Sequence, residues 1–233
     1  MSKEKNALII GGNSGIGQSI ALQLLEDDYN VSCMSRSADG VPDGSQHIKG
    51  DVLKDDWKEQ DFPESLDALV YCPGSINLKP FRSLKQEDFQ NDFNINVLGA
   101  VSVLHHFQKA LKKGTNPSVL LFSTVAVQQG MPFHASIASA KGALEGLVRT
   151  LASEWAPKIR VNAIAPSLVD TPLAGQLLSS DSKRDSADKR HPLKRVGQPE
   201  DIAAAARFLL NDQSSWMSGQ IVGVDGGLSS LRV

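Results

Sequence analysis

The stretch Ile10-Gly11-Gly12-Asn13-Ser14-Gly15-Ile16-Gly17 decides the fold expected for this chain of 233 residues. The apolar run 6–10 before it predicts a buried first strand, and apolar residues recur at helical spacing in 19–25 after it. Its glycines permit a tight turn and close approach of a diphosphate, while free N–H groups at the helix start attract an anion. The spacing Gly-x-x-x-Gly-x-Gly differs from the commoner dinucleotide fingerprint Gly-x-Gly-x-x-Gly. The stretch favours nucleotide binding over the alternative, a tight connection without a ligand.

The composition indicates a chain with little net charge and few cysteines. Lys and Arg total 24 against 26 Asp and Glu, a net charge of −2, which gives no reason to expect nucleic acid or a membrane as a partner. No apolar run approaches the length of about 18 residues that spans a bilayer, and residues 1–5 lack a secretion signal. Cys33 and Cys72 lie in apolar runs, and the five histidines show no metal-ligand spacing. We expect one α/β domain over residues 1–233, reduced buried cysteines, no metal and a cytoplasmic location.

Strand-like and helix-like segments alternate along the chain, which predicts a parallel sheet covered on both faces. The predicted strands are 6–10, 30–34, 47–52 with its turn, 66–72, 117–124, 159–164 and 220–224, and the predicted helices are 19–25, 86–112, 134–156 and 199–210. Asn96 lies within a predicted helix although asparagine is a poor helix former. The polar segment 173–192 is either a lid of helical pieces over the site or a solvated surface insertion.

The end of the second predicted strand bears on the choice of cofactor. An acid at this place would bind the ribose 2′-hydroxyl of NAD(H), whereas an arginine suits the 2′-phosphate of NADP(H). The chain has Ser35-Arg36-Ser37 there, without an acid. We therefore favour NADP(H) over NAD(H), the alternative being that Arg36 is an ordinary exposed loop residue.

Further motifs follow the glycine turn in a fixed order. They are Asp51-Val52, Asn96-Val97-Leu98-Gly99, Ser123-Thr124-Val125, Ala140-Lys141-Gly142-Ala143-Leu144, the segment 160–166, and the segments 195–203 and 219–227. Together these motifs resemble the short-chain dehydrogenase/reductase family over essentially the whole chain. The resemblance implies a Rossmann-like, doubly wound α/β fold with a seven-stranded parallel sheet in the order 3-2-1-4-5-6-7 and helices on both faces.

The resemblance also implies roles for individual residues. The implied cofactor-binding residues are Gly11, Asn13, Ser14, Gly15, Ile16, Gly17, Arg36, Asp51, Val52, Pro73, Gly74, Lys141, Val169 and Thr171. The implied catalytic residues are Asn96, Thr124 and Lys141, acting on a small-molecule substrate. A homodimer or homotetramer is expected through the helices 86–112 and 134–156, and the second of these is rich in small residues.

One position departs from the family's chemistry. The family uses a Tyr-x-x-x-Lys pair, in which the tyrosine exchanges a proton with the substrate oxygen and the lysine lowers the phenol's pKa and binds the ribose. Four residues before Lys141 stands Ile137, and the only tyrosines are Tyr29 and Tyr71. Milder departures are Thr124 for serine, Tyr71-Cys72-Pro73-Gly74 for Asn-Asn-Ala-Gly, Ile10 for threonine and Pro166-Ser167 for Pro-Gly.

Several groups could replace the missing acid. His134 would share a helix stripe with Ile137, about 10 Å along the axis from Lys141, if the helix extends that far back. Ser136 and Ser139 should point elsewhere, since they lie about 100° and 200° around the helix from Ile137. Tyr71 is placed as plausibly for packing as for chemistry, and a water bridging to the substrate is another alternative.

Three functions are compatible with these residues. The first is an NADP(H)-dependent oxidoreductase acting on a carbonyl, an alcohol or an activated double bond, with an incomplete catalytic set. The second is a non-catalytic dinucleotide-binding protein, because loss of the acid costs orders of magnitude in rate if nothing replaces it. The third, a structural oligomer that binds no nucleotide, is disfavoured by the glycine turn and Lys141. We favour the first.

Overall fold

The computed structural model describes residues 4–54 and 56–232. The described residues form a seven-stranded parallel sheet in the order β3-β2-β1-β4-β5-β6-β7, which confirms the expected order. The strands are β1 (Lys5–Ile10), β2 (Tyr29–Ser35), β3 (Gln46–Lys49), β4 (Ala68–Tyr71), β5 (Ser118–Phe122), β6 (Arg160–Pro166) and β7 (Ile221–Val224). The central strands β4 and β5 are buried along their whole length, because helices cover both faces of the sheet.

The helices are α1 (Gly15–Glu26), α2 (Gln86–Phe93), α3 (Gly99–Lys113), the short α4 (Ala126–Gln129), α5 (Ala135–Trp155), α6 (Asp181–Arg190) and α7 (Pro199–Leu210). Single 3₁₀ segments occupy Phe81–Ser83, Pro172–Leu178 and Asp212–Ser214. The first helix begins at Gly15, earlier than the predicted residue 19, because the glycine turn itself supplies the first helical turn. Among residues 4–54 and 56–232, we find no helix with the length and apolarity that a bilayer crossing requires.

The core has two layers, one on each face of the sheet. Successive residues of β1 alternate between them, with Leu8 and Ile10 on the face of α3 and α5, and Ala7 and Ile9 on the face of α1 and α7. The loops after the strands meet at the carboxyl edge of the sheet, where open α/β folds bind ligands.

The predicted helix 86–112 is interrupted, because a π turn at Asn94–Leu98 separates α2 from α3. The N–H of Gly99 donates to the carbonyl of Asn94, which leaves the carbonyl of Ile95 without its usual helical donor. The Tyr71 hydroxyl donates to that carbonyl at 2.6 Å, and the Asn96 side chain donates to the carbonyl of Asp92 at 2.8 Å. Side chains thus satisfy the backbone of the π turn, and Asn96 has a structural reason to lie within a helix.

Candidate functional site

The glycine turn brings β1 and α1 together more closely than other residues would allow. A Cβ at position 17 would lie 2.2 Å from the Gly11 carbonyl oxygen, and Gly11 and Gly15 have positive φ angles of 78° and 51°. A Cβ at position 15 would lie 3.1 Å from Cγ2 of Thr171, so Thr171 faces the start of α1. The first turn of α1 carries no acidic residue, and its N–H groups are free to bind an anion. A dinucleotide diphosphate fits this cradle between Ile16 and Thr171.

The loop after β2 is tied to the glycine turn. The Asn13 side chain donates to the carbonyls of Ser37 at 3.3 Å and Asp39 at 3.2 Å. This contact places Arg36, which is exposed and has no ion pair within the described residues, beside the turn. Asp39, four residues beyond β2, accepts a hydrogen bond from the Ser37 hydroxyl at 2.7 Å. Asp51 accepts from the N–H of Leu53 at 3.1 Å, next to Val52.

A cavity of about 320 Å³ opens at the carboxyl edge of the sheet. Of the residues predicted for the site, it is lined by Ile16, Gly74, Thr124, Lys141, Val169 and Thr171. The others, Gly11, Asn13, Ser14, Gly15, Gly17, Arg36, Asp51, Val52, Pro73 and Asn96, lie outside its lining. Most of the remaining lining is apolar, including Ile76, Leu78, Met131 and Leu177. Cys72 also lines the cavity and is half-buried, whereas the sequence predicted a buried residue; both thiols are free.

Lys141 is buried in the wall of this cavity. Its Nζ donates to the Phe122 carbonyl at 2.7 Å. Burial lowers the pKa of Lys141 from 10.5 to about 8, and the neighbouring Cys72 and Asp92 only partly oppose this shift. One turn earlier, Ile137 is buried and lines the same cavity. The wall beside the ammonium is therefore aliphatic at the position where the family's tyrosine is expected.

Asn96 lies in a buried polar network behind the cavity. Its Nδ2 donates to the Ser75 hydroxyl at 2.9 Å, and Ser75 donates to a carboxylate oxygen of Asp92 at 2.6 Å. Its Oδ1 is buried and has no partner within the described residues. A Cβ at Gly74 would lie 3.3 Å from this Oδ1 and 3.7 Å from the Lys141 Nζ, so the glycine keeps an approach to both atoms open. A polar ligand group at Gly74 would meet an acceptor and a donor there.

Thr124 presents its hydroxyl to the cavity. Its Oγ1 accepts from the N–H of Ala126 at 3.3 Å, which leaves the hydroxyl proton available for a ligand. His134 also lines the cavity, but helix α5 begins at Ala135, one residue later than predicted. The His134 Nδ1 lies 2.7 Å from the Pro132 carbonyl, to which it donates.

The other candidate proton donors are occupied elsewhere. The Ser136 hydroxyl donates to a carboxylate oxygen of Asp92, and the Ser139 hydroxyl donates to the Ala135 carbonyl, so both point away from Ile137 as predicted. Tyr71 is buried in the core, its hydroxyl donates to the Ile95 carbonyl, and burial raises its pKa. Tyr71 therefore has a packing role in this structure.

Sequence reasoning missed a second polar pair in the cavity. The Ser167 hydroxyl lies 2.9 Å from Nε2 of His191, whose Nδ1 lies 2.8 Å from the Ala187 carbonyl. Both residues line the cavity. The departure of Pro166-Ser167 from the family's Pro-Gly was the only signal of this pair. His191 follows α6 in the segment 173–192, which consists of helical pieces and lines one side of the cavity through Leu173, Ala174 and Leu177.

No cluster of three or more metal-ligating side chains occurs in the described ranges 4–54 and 56–232.

A family model described as Enoyl-(Acyl carrier protein) reductase matches residues 10–229. The 3-oxoacyl-(acyl-carrier-protein) reductase FabG of Thermotoga maritima is 31% identical over 242 residues, covering 96% of this chain and 97% of its own length.

Solved structures resemble the chain over its whole length. The ligand-free aldohexose dehydrogenase of Thermoplasma acidophilum has a TM-score of 0.90 at 26% identity, covering 99% of this chain and 96% of its own. ElxO with NADP bound has a TM-score of 0.86 at 28% identity, covering 98% of this chain and 100% of its own. These similarities agree with the observed strand order.

Proposed function

The chain belongs to the short-chain dehydrogenase/reductase family of oxidoreductases, and on that basis we propose that it binds NADP(H) and acts on an apolar small molecule. The reaction is reduction of a carbonyl, oxidation of an alcohol, or reduction of an activated double bond. One observation carries this proposal: Ile16 from the first turn of α1 lines the same cavity as Thr124 and Lys141. A single cavity therefore joins the anion-binding turn to the polar groups that would meet a substrate.

The residues present fit a nicotinamide dinucleotide. The first turn of α1, with Gly15 and Gly17, would hold the diphosphate together with Thr171. Asp51 and Val52 would contact the adenine, with Pro73 and Gly74 on the adenosine side, and Lys141 would donate to the nicotinamide ribose. When bound, the cofactor supplies or accepts a hydride.

Arg36 supports the preference for NADP(H). It is an exposed guanidinium without an ion pair in the described residues, beside the loop that Asn13 ties to the glycine turn. A guanidinium there would pair with a 2′-phosphate. The similar protein ElxO has NADP bound.

Thr124 would donate to the substrate oxygen, and the apolar lining of the cavity selects a substrate with an aliphatic or aromatic body. Relatives described as acyl-carrier-protein reductases are compatible with such a substrate. We propose that the chain works as one dinucleotide-binding domain in the cytoplasm, with 173–192 as its lid. We further propose that it assembles as a homodimer or homotetramer.

The second candidate function is a non-catalytic dinucleotide-binding protein. Its supporting observation is the aliphatic side chain of Ile137 in the cavity wall beside Lys141. Isoleucine has no exchangeable proton, so this function applies if no other group in the cavity transfers one.

Thermal unfolding with each nucleotide tests binding. A ligand at a hundred times its Kd stabilises the folded protein by about 2.7 kcal/mol, which for a chain of this size raises the melting midpoint by about 5–11 °C. We expect a larger rise with NADPH than with NADH. Arg36→Ala should remove the difference between the two, while Arg82→Ala, at another exposed arginine, should keep it. The absence of a rise with either nucleotide would exclude the proposed function.

NADPH oxidation separates the two candidate functions. The assay uses cyclohexanone, menadione and cyclohexenone as a ketone, a quinone and an enone. Cofactor-dependent turnover of any of them supports the oxidoreductase. The non-catalytic protein would instead be supported by three results together. NADPH would raise the melting midpoint, none of the three probes would cause NADPH oxidation by the wild type, and Ile137→Tyr would gain activity.

A further inference from the structure

We propose that the Ser167–His191 pair provides the proton relay of this site in place of the family's tyrosine. Ser167 would touch the substrate oxygen as the catalytic residue, and His191 would act through Ser167 as a positioning residue. This inference rests on the proposed function, because it concerns the same cavity and the same reaction. Neither residue belongs to the set that the family resemblance implies.

The pair has the geometry of an activated hydroxyl. The Ala187 carbonyl can only accept a hydrogen bond, so the His191 Nδ1 at 2.8 Å carries a proton. In the neutral ring Nε2 is then an acceptor, and the Ser167 hydroxyl at 2.9 Å donates to it. A hydroxyl, a base within hydrogen-bond reach and a third group that orients the base form the arrangement of general acid–base and nucleophilic sites.

The fold places Ser167 beside the substrate-binding hydroxyl. Ser167 directly follows β6, and the carbonyl of Pro166 accepts from the N–H of Val125 at 3.2 Å. Val125 is the residue after Thr124, and neighbouring strands lie about 4.8 Å apart. Thr124 and Ser167 thus stand at adjoining strand ends and line one cavity. The relay requires a substrate oxygen that accepts from Thr124 and exchanges a proton with Ser167.

Protons and electrons balance both in alcohol oxidation and in carbonyl reduction. In alcohol oxidation the substrate O–H proton passes to Ser167 Oγ, the Ser167 proton passes to His191 Nε2, and the C–H hydride leaves to the oxidised nicotinamide. In carbonyl reduction the hydride adds to the carbon, the C–O π pair moves to oxygen, and Ser167 protonates that oxygen. The reduction therefore begins with His191 as the imidazolium, which returns a proton to Ser167 and becomes neutral, whereas the oxidation begins with the neutral ring and leaves the imidazolium. Exchange of one proton with solvent resets His191 after each turnover.

Charged groups around His191 can accommodate both protonation states. Arg190 precedes it on the lid, and Lys141 lies across the cavity. Asp225, after β7, and Arg195 with Asp201, before and in α7, line the pocket on the other side of His191. Although burial raises the pKa of Asp225, hydrogen bonds from Ser229 and the N–H of Gly227, and the proximity of His191, hold it below its usual value. An ionised Asp225 would stabilise the imidazolium.

His134 is the competing donor. It precedes Lys141 by seven residues on α5, which corresponds to about 10 Å along the helix axis. It caps the helix and donates to Pro132 rather than to a hydroxyl of the cavity. Its ring therefore lacks the hydroxyl partner that Ser167 gives to His191.

Nitrogen chemical shifts of the histidine rings test the pair without turnover or cofactor. We expect His191 in the folded protein to be the Nδ1–H tautomer, with an Nε2 shift characteristic of a hydrogen-bonded acceptor. Ser167→Ala should move the His191 Nε2 shift and leave that of His134 unchanged. An Nε2–H tautomer of His191 in the cofactor-free protein, or no response to Ser167→Ala, would contradict the pair.

Turnover of the three probes tests the relay. We expect Ser167→Ala and His191→Asn to lower kcat by about a hundredfold, the range of a lost acid–base group. The NADPH-induced rise in melting midpoint should remain, and Ser167→Thr should retain most activity. His105→Asn, at an exposed histidine of α3 that does not line the cavity, should match the wild type. The solvent deuterium isotope effect on kcat should change in His191→Asn. Ser167→Gly, which restores the family's Pro-Gly, gives a second variant if alanine impairs folding.

A double-mutant cycle with Ile137→Tyr completes the test. A phenol at position 137 should make the relay redundant, so Ser167→Ala should cost much less in the Ile137→Tyr background than in the wild type. Wild-type turnover that Ser167→Ala and His191→Asn leave unchanged would overturn the relay alone. Absence of any NADPH-induced rise in the wild-type midpoint, by contrast, would overturn the proposed function and the relay with it.

Discussion

Lys141 is the residue at which binding function and stability conflict. Its ammonium is buried and makes one hydrogen bond, to the Phe122 carbonyl. Burial lowers its pKa to about 8, so the folded protein binds this proton less tightly than the unfolded chain. In the proposed function this same ammonium donates to the nicotinamide ribose, so the group proposed to bind the cofactor is one whose burial destabilises the fold.

The shift at Lys141 predicts a pH-dependent contribution to stability. Below about pH 8 the lysine is protonated in the folded and in the unfolded protein, and its burial destabilises the fold. Between about pH 8 and pH 10.5 only the unfolded chain keeps the proton, so the unfolding free energy rises with pH. The difference in unfolding free energy between wild type and Lys141→Met should therefore rise by about 3 kcal/mol from neutral pH to above the upper pKa.

Urea denaturation across this pH range measures the effect. Lys112→Met, at the exposed end of α3, controls for removal of a positive charge from the surface. A constant difference between wild type and Lys141→Met across the range would show that Lys141 has an ordinary pKa in the folded protein.

At the scale of elements, the π turn between α2 and α3 depends on β4. The turn leaves the Ile95 carbonyl to the Tyr71 hydroxyl, and Gly99 gives that hydroxyl room, since a Cβ there would lie 2.3 Å from it. Tyr71 on β4, the carbonyl of Ile95 and Gly99 therefore together determine the π turn that contains Asn96. This turn also places the Asn96 side chain where it donates a hydrogen bond to the Ser75 hydroxyl behind the cavity.

We predict that Tyr71→Phe lowers the unfolding free energy by about 0.5–1.5 kcal/mol, because it removes the hydrogen bond from the Tyr71 hydroxyl to the partly buried Ile95 carbonyl. Gly99→Ala should destabilise the wild type through the clash with the Tyr71 hydroxyl. It should cost clearly less in the Tyr71→Phe background, where that oxygen is gone. Urea unfolding of the four proteins measures the coupling, and strictly additive effects would refute this account of the turn.

The elements also show what a sequence pattern can and cannot predict. Apolar runs predicted the strands because burial on both faces leaves a continuous signal. The family resemblance implied that Thr124 and Lys141 belong to one site, and both line the same cavity. The break at Asn94–Leu98 was missed because it depends on Tyr71, which is distant in sequence. The pairing of Ser167 with His191 was missed for the same reason, because the two side chains are 24 residues apart and no local periodicity indicates such a contact.

At the scale of the whole molecule, one face of α5 is exposed and built from small side chains. Its exposed members are Ser139, Ala143, Gly146, Thr150 and Ser153, at the three- and four-residue spacing of one helix face. Small side chains permit close approach of another helix, and the predicted assembly uses this helix. The homodimer or homotetramer is therefore expected to form across this face.

Gly146→Arg tests this assembly. A Cβ at Gly146 would meet nothing within 4 Å in the described part of the chain, so the larger side chain should leave the fold intact and obstruct only a second copy. We expect light scattering to give two or four times the chain mass for the wild type and the mass of one chain for Gly146→Arg. Gly175→Arg, at a glycine of the segment 173–192 with equally open surroundings, should retain the wild-type mass. An unchanged mass in Gly146→Arg would place the interface elsewhere, and an NADPH-induced rise in its melting midpoint would show that each chain binds the cofactor without its partner.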